Sequence, residues 1–349
     1  MRDNKDYLNP EVFEVNKEKP RFAYRDLTEN KKLISLNGEW GFDFALCPKN
    51  SPEEFYKTDY DASSWGKIKV PSVWELSGYG RPQYLAYAYP DAIGVKKSKI
   101  PSIDENDNPT GSYRKTFTLD RSFLSGKTVV HFGAVKSSFH LWVNGKYVGY
   151  SQGSMTPHEF DISQYIKEGE NLIAVKVYKY SDGTYLEDQD MWFFAGIYRD
   201  VYIYNLPQSH IFDAFASSEI DGNDADIMLD VALENAVGKT FKASLKGDDR
   251  DIVLLDETLK NNYVSVKSHV KNIKKWSAER PDLYTVEIEL KDGEQTIQHL
   301  EFDFGFRKIK IEDGVCYVNS QPVILKGVNR HDERHQKGCA VQEENHDTT

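Results

Sequence analysis

At 349 residues the chain is long enough for two or three domains, and its 21 Tyr and 18 Phe, with Gly and Pro spread throughout, favour many short strands and turns over helices. A formal net charge of −11 argues against a phosphate-backbone partner, because nucleic-acid binders gather Lys and Arg into patches that displace counterions. The N-terminus MRDNKDYLNPEVFEVNKEKP has no apolar h-region and no stretch approaches the roughly 20 apolar residues of a membrane span, so a cytoplasmic chain with no membrane partner is expected.

Residues 1–34 are polar, carry Pro10 and Pro20, and read as an arm laid over a folded body. Strand-like runs follow, among them LISLNGEWGFDFA, KIKVPSVW, SYRKTFTL, KTVVHFGAV, SSFHLWVNGKYVGYSQG, NLIAVKVYKY and DVYIYNL. Asn144-Gly145 lies between two alternating apolar runs, a strong hairpin signal, and the set over 35–207 predicts a β-sandwich. The best helix signal is SPEEFYKTDYDASSW, where Ser51 can cap a short helix with Pro52 at its first position. After Pro207 a second alternating set, from IFDAFASSE to HLEFDFGF, predicts an immunoglobulin-like sandwich over 208–307. From 308 to 349 the chain reads as a hairpin through Asp313-Gly314, then an apolar run at 323–325 that resembles the first strand of a parallel barrel. The distant cysteines Cys47, Cys316 and Cys339 are odd in number and read as free thiols in a reducing compartment.

The segments SLNGEWGFDF, VPSVWELSGYGRPQYLAYAYP, GSYRKTF, HFGAVKSSFHLWVNGKYVGYSQGSMTPHEFDIS, YLEDQDMWFFAGIYRDVYIY, GFRKIKIEDG and LKGVNRHD occur in an order and spacing that resemble the β-galactosidases of glycoside hydrolase family 2. The resemblance implies a jelly-roll sugar-binding domain, an immunoglobulin-like domain and the start of a (β/α)8 TIM barrel. It also implies hydrolysis of terminal β-D-galactosides with retention, which uses a carboxylic acid and a carboxylate nucleophile about 5 Å apart. In the family both are Glu on late barrel strands and the acid/base follows an Asn; no Asn-Glu step occurs here. Both glutamates are therefore expected beyond Thr349 and no catalytic residue within the chain, which reads as truncated and inactive unless the rest of the barrel joins it in cis or in trans.

The resemblance carries over two substrate-binding residues. Asp190 of YLEDQDMW is expected to touch the sugar's 6-hydroxyl and a Na+ ion shared with barrel residues, whereas the residue types alone allow Glu187, Asp188 and Asp190 to be turn residues that cap backbone. His331 of GVNRH is expected to hydrogen-bond a sugar hydroxyl at the C-terminal face of the barrel, although a lone His is more often structural. Mg2+ is expected only in the full-length enzyme, its ligands also beyond Thr349, and homo-oligomerisation likewise belongs to the full-length enzyme. Trp192, Phe193 and Phe194 are candidate sugar-stacking rings or, alternatively, packing residues. Trp40, Trp142, Tyr150, His131, His140 and His158 read as structural.

Three positions depart from the family pattern. Ala86 stands where an Asn binds galactose hydroxyls, so that contact must come from elsewhere, with Gln83 and Tyr87 as candidates. Arg334 replaces a common His, and the polar ending QEENHDTT replaces a barrel helix. A standalone carbohydrate-binding module and another family 2 activity, such as β-glucuronidase or β-mannosidase, remain the alternative readings.

Overall fold

The computed structural model describes residues 5–22, 25–28, 32–85, 100–187, 190–247 and 250–341. They form an all-β protein whose helical segments are short 3-10 turns. Among the described residues no helix is long and apolar enough to cross a membrane. Two compact units emerge, one from 1–19, 32–205 and 330–349, the other from 20–31 and 206–329.

The first unit is a jelly-roll sandwich. Its larger sheet orders the strands Glu14–Val15, Lys146–Gln152, Ser138–Val143, Gly169–Tyr178, Thr110–Leu119, Gly38–Ala45 and Gly66–Val70, all antiparallel where paired. The facing sheet runs His158–Asp161, Lys127–Phe132, Val201–Leu206, Lys32–Ser35. Alternation along each strand decides what goes between them: Phe139, Leu141 and Val143 of one strand and Ile173, Val175 and Val177 of its neighbour join the core with Trp40, Phe132 and Phe160.

The other face of the larger sheet is also covered, which period-2 patterning alone does not predict. The arm lays Tyr7 on Tyr178 with ring centroids 4.1 Å apart. His140 bridges the Asp6 carboxylate and the Tyr178 hydroxyl, each at 3.1 Å. Nearby, Phe55 and Tyr56 pack on Trp142. The structural readings of Trp40, Trp142 and Tyr150 agree with this arrangement, since all three are buried.

The hairpin at Asn144-Gly145 forms as expected, with φ of 49° and 78°, the left-handed pair that a two-residue type I′ turn requires. The helix expected after Ser51 does not. Ser51 instead donates to the Pro48 carbonyl at 2.6 Å and accepts from the Lys176 ammonium at 2.8 Å. Phe55 anchors that loop as an irregular flap over Lys176 and Trp142.

The second unit pairs a three-stranded sheet, His210–Asp221, Asp224–Glu234 and Tyr263–Val270, with a five-stranded one, Arg25–Asp26, Gln295–Phe304, Tyr284–Asp292, Thr240–Gly247 and Arg250–Thr258. Buried and half-buried residues alternate without a break along Asp224–Glu234, so Ala225, Ile227, Leu229, Val231 and Leu233 enter the core. Strands Ile309–Glu312 and Val315–Val318 make the Asp313-Gly314 hairpin, again with positive φ at both turn residues. The apolar strand expected at 323–325 is not formed: Val323 donates its amide to the Cys316 carbonyl at 2.8 Å, beside the Val315–Val318 strand, and Ile324 and Leu325 beyond it are 82% and 86% exposed. A strand apolar on both faces needs neighbours on both edges, and Ile324 and Leu325 are left in solvent instead.

Candidate functional site

The short strand pair Gln83–Leu85 and Met191–Phe193 organises the site of the first unit, with Trp192 opposite Tyr84 and Phe193 opposite Gln83. Alternation sends Phe193 inward and Tyr84 and Trp192 outward, while Gln83 stays exposed at the edge. Phe193 is buried against Tyr180, and the Tyr180 hydroxyl donates to Gln83 Oε1 at 2.8 Å. Gln83 also borders a cavity of ≈ 290 Å3, with Trp74, Tyr79 and Lys179. Ala86 and Tyr87 lie outside the described residues.

On the outward side, Tyr84 and Trp192 are exposed and meet edge to face, their centroids 5.4 Å apart. The Tyr84 hydroxyl donates to Asp190, reaching Oδ1 at 3.0 Å and the backbone oxygen at 3.2 Å. That bond holds the Tyr84 phenol above its ordinary pKa, with burial and the charges of Asp190 and Glu333 adding to it. Asp190 itself is exposed, at a left-handed φ of 55° that Asp tolerates better than most residues. Sequence reasoning singles out Asp190 and passes over Tyr84, since only the strand register shows which aromatic faces it.

The rings weighed as a stacking platform divide. Phe193 and Phe194 are buried and serve packing, whereas Trp192 is 39% exposed, with Phe194 stacked beside it at 6.1 Å. Glu187 accepts from both the amide and the hydroxyl of Ser154, and Asp188 lies outside the described residues. His331 is exposed, on a segment whose later part is anchored: Ala340 packs with Val73, Ala134, Phe194 and Tyr198. That anchoring brings Glu333, two residues beyond His331, within electrostatic reach of Tyr84. Arg330 pairs with Asp332 in solvent at 3.1 Å. Thr349, beyond which the two catalytic glutamates and the magnesium ligands are expected, lies outside the described residues, as does the rest of the polar ending from 342 onward.

The base of this wall is fixed by a buried ion pair. Lys179 Nζ donates to Glu75 Oε1 at 2.6 Å, and the Ala195 amide donates to the other Glu75 oxygen at 3.1 Å. Backbone bonds from Trp74 to Ala195 and from Ser72 to Ile197 complete the attachment. Among the described residues no three His, Cys, Asp or Glu side chains gather into a metal cage. The histidines read as structural have ordinary partners: His131 contacts Glu159 at 2.9 Å and His158 contacts Ser151 at 2.8 Å.

Comparison with known proteins matches residues 33–207 to the sugar binding domain of glycosyl hydrolases family 2, residues 209–307 to the central family 2 domain, and residues 309–348 to the family's TIM barrel domain. A β-galactosidase of Priestia megaterium is 37% identical across 95% of this chain and 34% of its own length. One from Streptococcus thermophilus is 37% identical across 90% of this chain and 31% of its own. The chain thus spans about a third of the length of these relatives. Among solved structures, a β-glucuronidase of an uncultured Clostridium aligns with a TM-score of 0.70 over 94% of this chain and 53% of its own, at 21% identity. A β-glucuronidase of Ruminococcus gnavus aligns at 0.69, over 94% and 54%, at 18% identity. At such identities the likeness concerns the fold.

Proposed function

From the premise that the chain belongs to glycosyl hydrolases family 2, we propose that it supplies one wall of the galactose subsite of a retaining β-galactosidase. The observation that carries this reading is the exposed Asp190 carboxylate close to the partly exposed Trp192 indole. A pyranose presents an apolar C–H face and a ring of hydroxyls; an indole receives the first and a carboxylate accepts from the second. His331, on the segment anchored beside Phe194, adds a further hydroxyl contact in this scheme. Asp190 would also lend an oxygen to a sodium ion, with the remaining ligands, and any magnesium site, provided by the barrel.

Retaining hydrolysis needs two carboxyl groups about 5 to 5.5 Å apart across the scissile bond. Of the acids of the described wall, Glu75 is paired with Lys179 and Glu187 accepts from Ser154, while Asp190 is given to substrate binding in this reading. Chemistry is assigned to the two glutamates of a complete barrel and this chain to substrate binding. The closest competing readings are a uronide substrate and a binding module that works alone.

The test is hydrolysis of nitrophenyl β-D-galactoside and β-D-glucuronide by the chain alone and mixed with a polypeptide carrying the remaining two thirds of the Priestia megaterium relative. Silence alone and galactosidase activity on mixing is the expected result. Turnover by the chain alone would overturn the assignment of chemistry to the barrel, and turnover of the glucuronide alone would overturn the substrate. Tight galactoside binding by the unmixed chain, with no activity on mixing, would favour the binding module.

A further inference from the structure

An exposed aspartate is a poor recognition element unless something fixes its carboxylate, since rotation about χ1 and χ2 spreads its oxygens over several positions. Asp190 is fixed twice by one neighbour. The single Tyr84 hydroxyl proton is shared between Asp190 Oδ1 and the Asp190 backbone oxygen, so side chain and main chain are tied to the same point. Tyr84 is held in turn, by the ladder that sets it opposite Trp192 and by its edge-to-face contact with that indole.

We propose that Tyr84 is a positioning residue which fixes the Asp190 carboxylate so that Oδ2 is presented to a sugar hydroxyl. This inference rests on the reading of Asp190 as a sugar ligand and adds the device that orients it. Oδ1 is committed to the phenol, while Oδ2 keeps its lone pairs for an incoming donor. Preorganisation of this kind acts on binding: without it, part of the contact energy is spent on ordering the side chain.

Three versions of the 349-residue chain decide the matter: unaltered, Tyr84→Phe and Asp190→Asn, each checked for native secondary structure by circular dichroism. Alkaline absorbance titration, with the Tyr84→Phe trace subtracted, isolates Tyr84. It is expected to ionise above the ordinary value of about 10 in the unaltered chain and to fall towards it in Asp190→Asn. An unchanged Tyr84 titration in Asp190→Asn would overturn the clamp. In the mixture with the barrel polypeptide, Tyr84→Phe is expected to raise KM for the galactoside about tenfold with kcat within about twofold, the signature of lost binding rather than lost chemistry. An unchanged KM, or a fall confined to kcat, would also overturn it. Should the mixture show no turnover at all, the functional reading fails, while the absorbance titration still decides whether Tyr84 holds Asp190.

Discussion

Acid should weaken the first unit through one buried histidine. His158 is fully buried, its ring edge-on to Phe139 at 5.2 Å, with Ser151 at Nδ1. Burial, helped by the charges of Lys17 and His131, drops its pKa from 6.5 to about 3. The native state therefore refuses a proton that the unfolded chain accepts below pH 6.5, so stability is complete above that value and is lost as the pH falls towards 3. Between about pH 7.5 and about pH 5 the loss is (6.5 − 5) × 1.36, or about 2 kcal/mol. Because the native value lies well below 5, this size is set by the ordinary imidazole pKa alone. Urea unfolding at the two pH values measures it directly. His158→Asn, which keeps a polar atom towards Ser151 and does not titrate, should show a pH-dependent loss smaller by about 2 kcal/mol, whatever its absolute stability. Equal losses in the two proteins would refute the argument.

Two further substitutions probe what holds the wall and the arm. Glu75→Ala strands the Lys179 ammonium in the interior and removes the acceptor of the Ala195 amide, which should cost about 3 to 5 kcal/mol in urea unfolding. The double change Glu75→Ala with Lys179→Met should recover much of that loss, since no buried charge is then left unpaired. Gly149→Ala would place a Cβ 2.3 Å from the Val15 carbonyl oxygen and 2.7 Å from the Phe160 ring, so the arm strand should lift away. Faster trypsin cleavage at Lys17 or Lys19 would report it, with a stability loss of about 1 to 3 kcal/mol.

What could be read from the chain beforehand follows the range of the forces involved. The strands of both sandwiches show in the sequence because alternation is a local record of which face is buried, as in DIMLDVALENA. The hairpins at Asn144-Gly145 and Asp313-Gly314 show because positive φ at two successive residues selects those dipeptides. Burial of Asp6 and Tyr7 does not show, because it depends on His140 and Tyr178, more than a hundred residues away. At Ser51 too, the bond that the hydroxyl accepts comes from Lys176, distant in sequence, where a local rule assigns it to a cap. The run at 323–325 keeps its apolar pattern, yet after the Val323 bond to Cys316 its Ile324 and Leu325 stand in solvent and no strand forms.

The site divides along the same line. Asp190 was accessible through the motif around it, and Trp192 as a possible platform, whereas the choice of Trp192 over Phe193 and Phe194 required burial and that of Tyr84 over Gln83 required the register. The register also bears on how the wall keeps its shape. Three-residue strands paired only with each other are marginal in water, so Gln83–Leu85 and Met191–Phe193 cannot hold Asp190 and Trp192 by their own ladder. The attachment comes from below: Phe193 and Phe194 are packed inward, and Glu75 ties Lys179 to Ala195 immediately beyond them. The wall is thus formed by the sandwich itself, before any barrel joins it. Glu75→Ala should therefore disturb the Tyr84 to Asp190 bond and lower the Tyr84 ionisation, even though neither residue touches Glu75, while Gly149→Ala should leave that ionisation where it is.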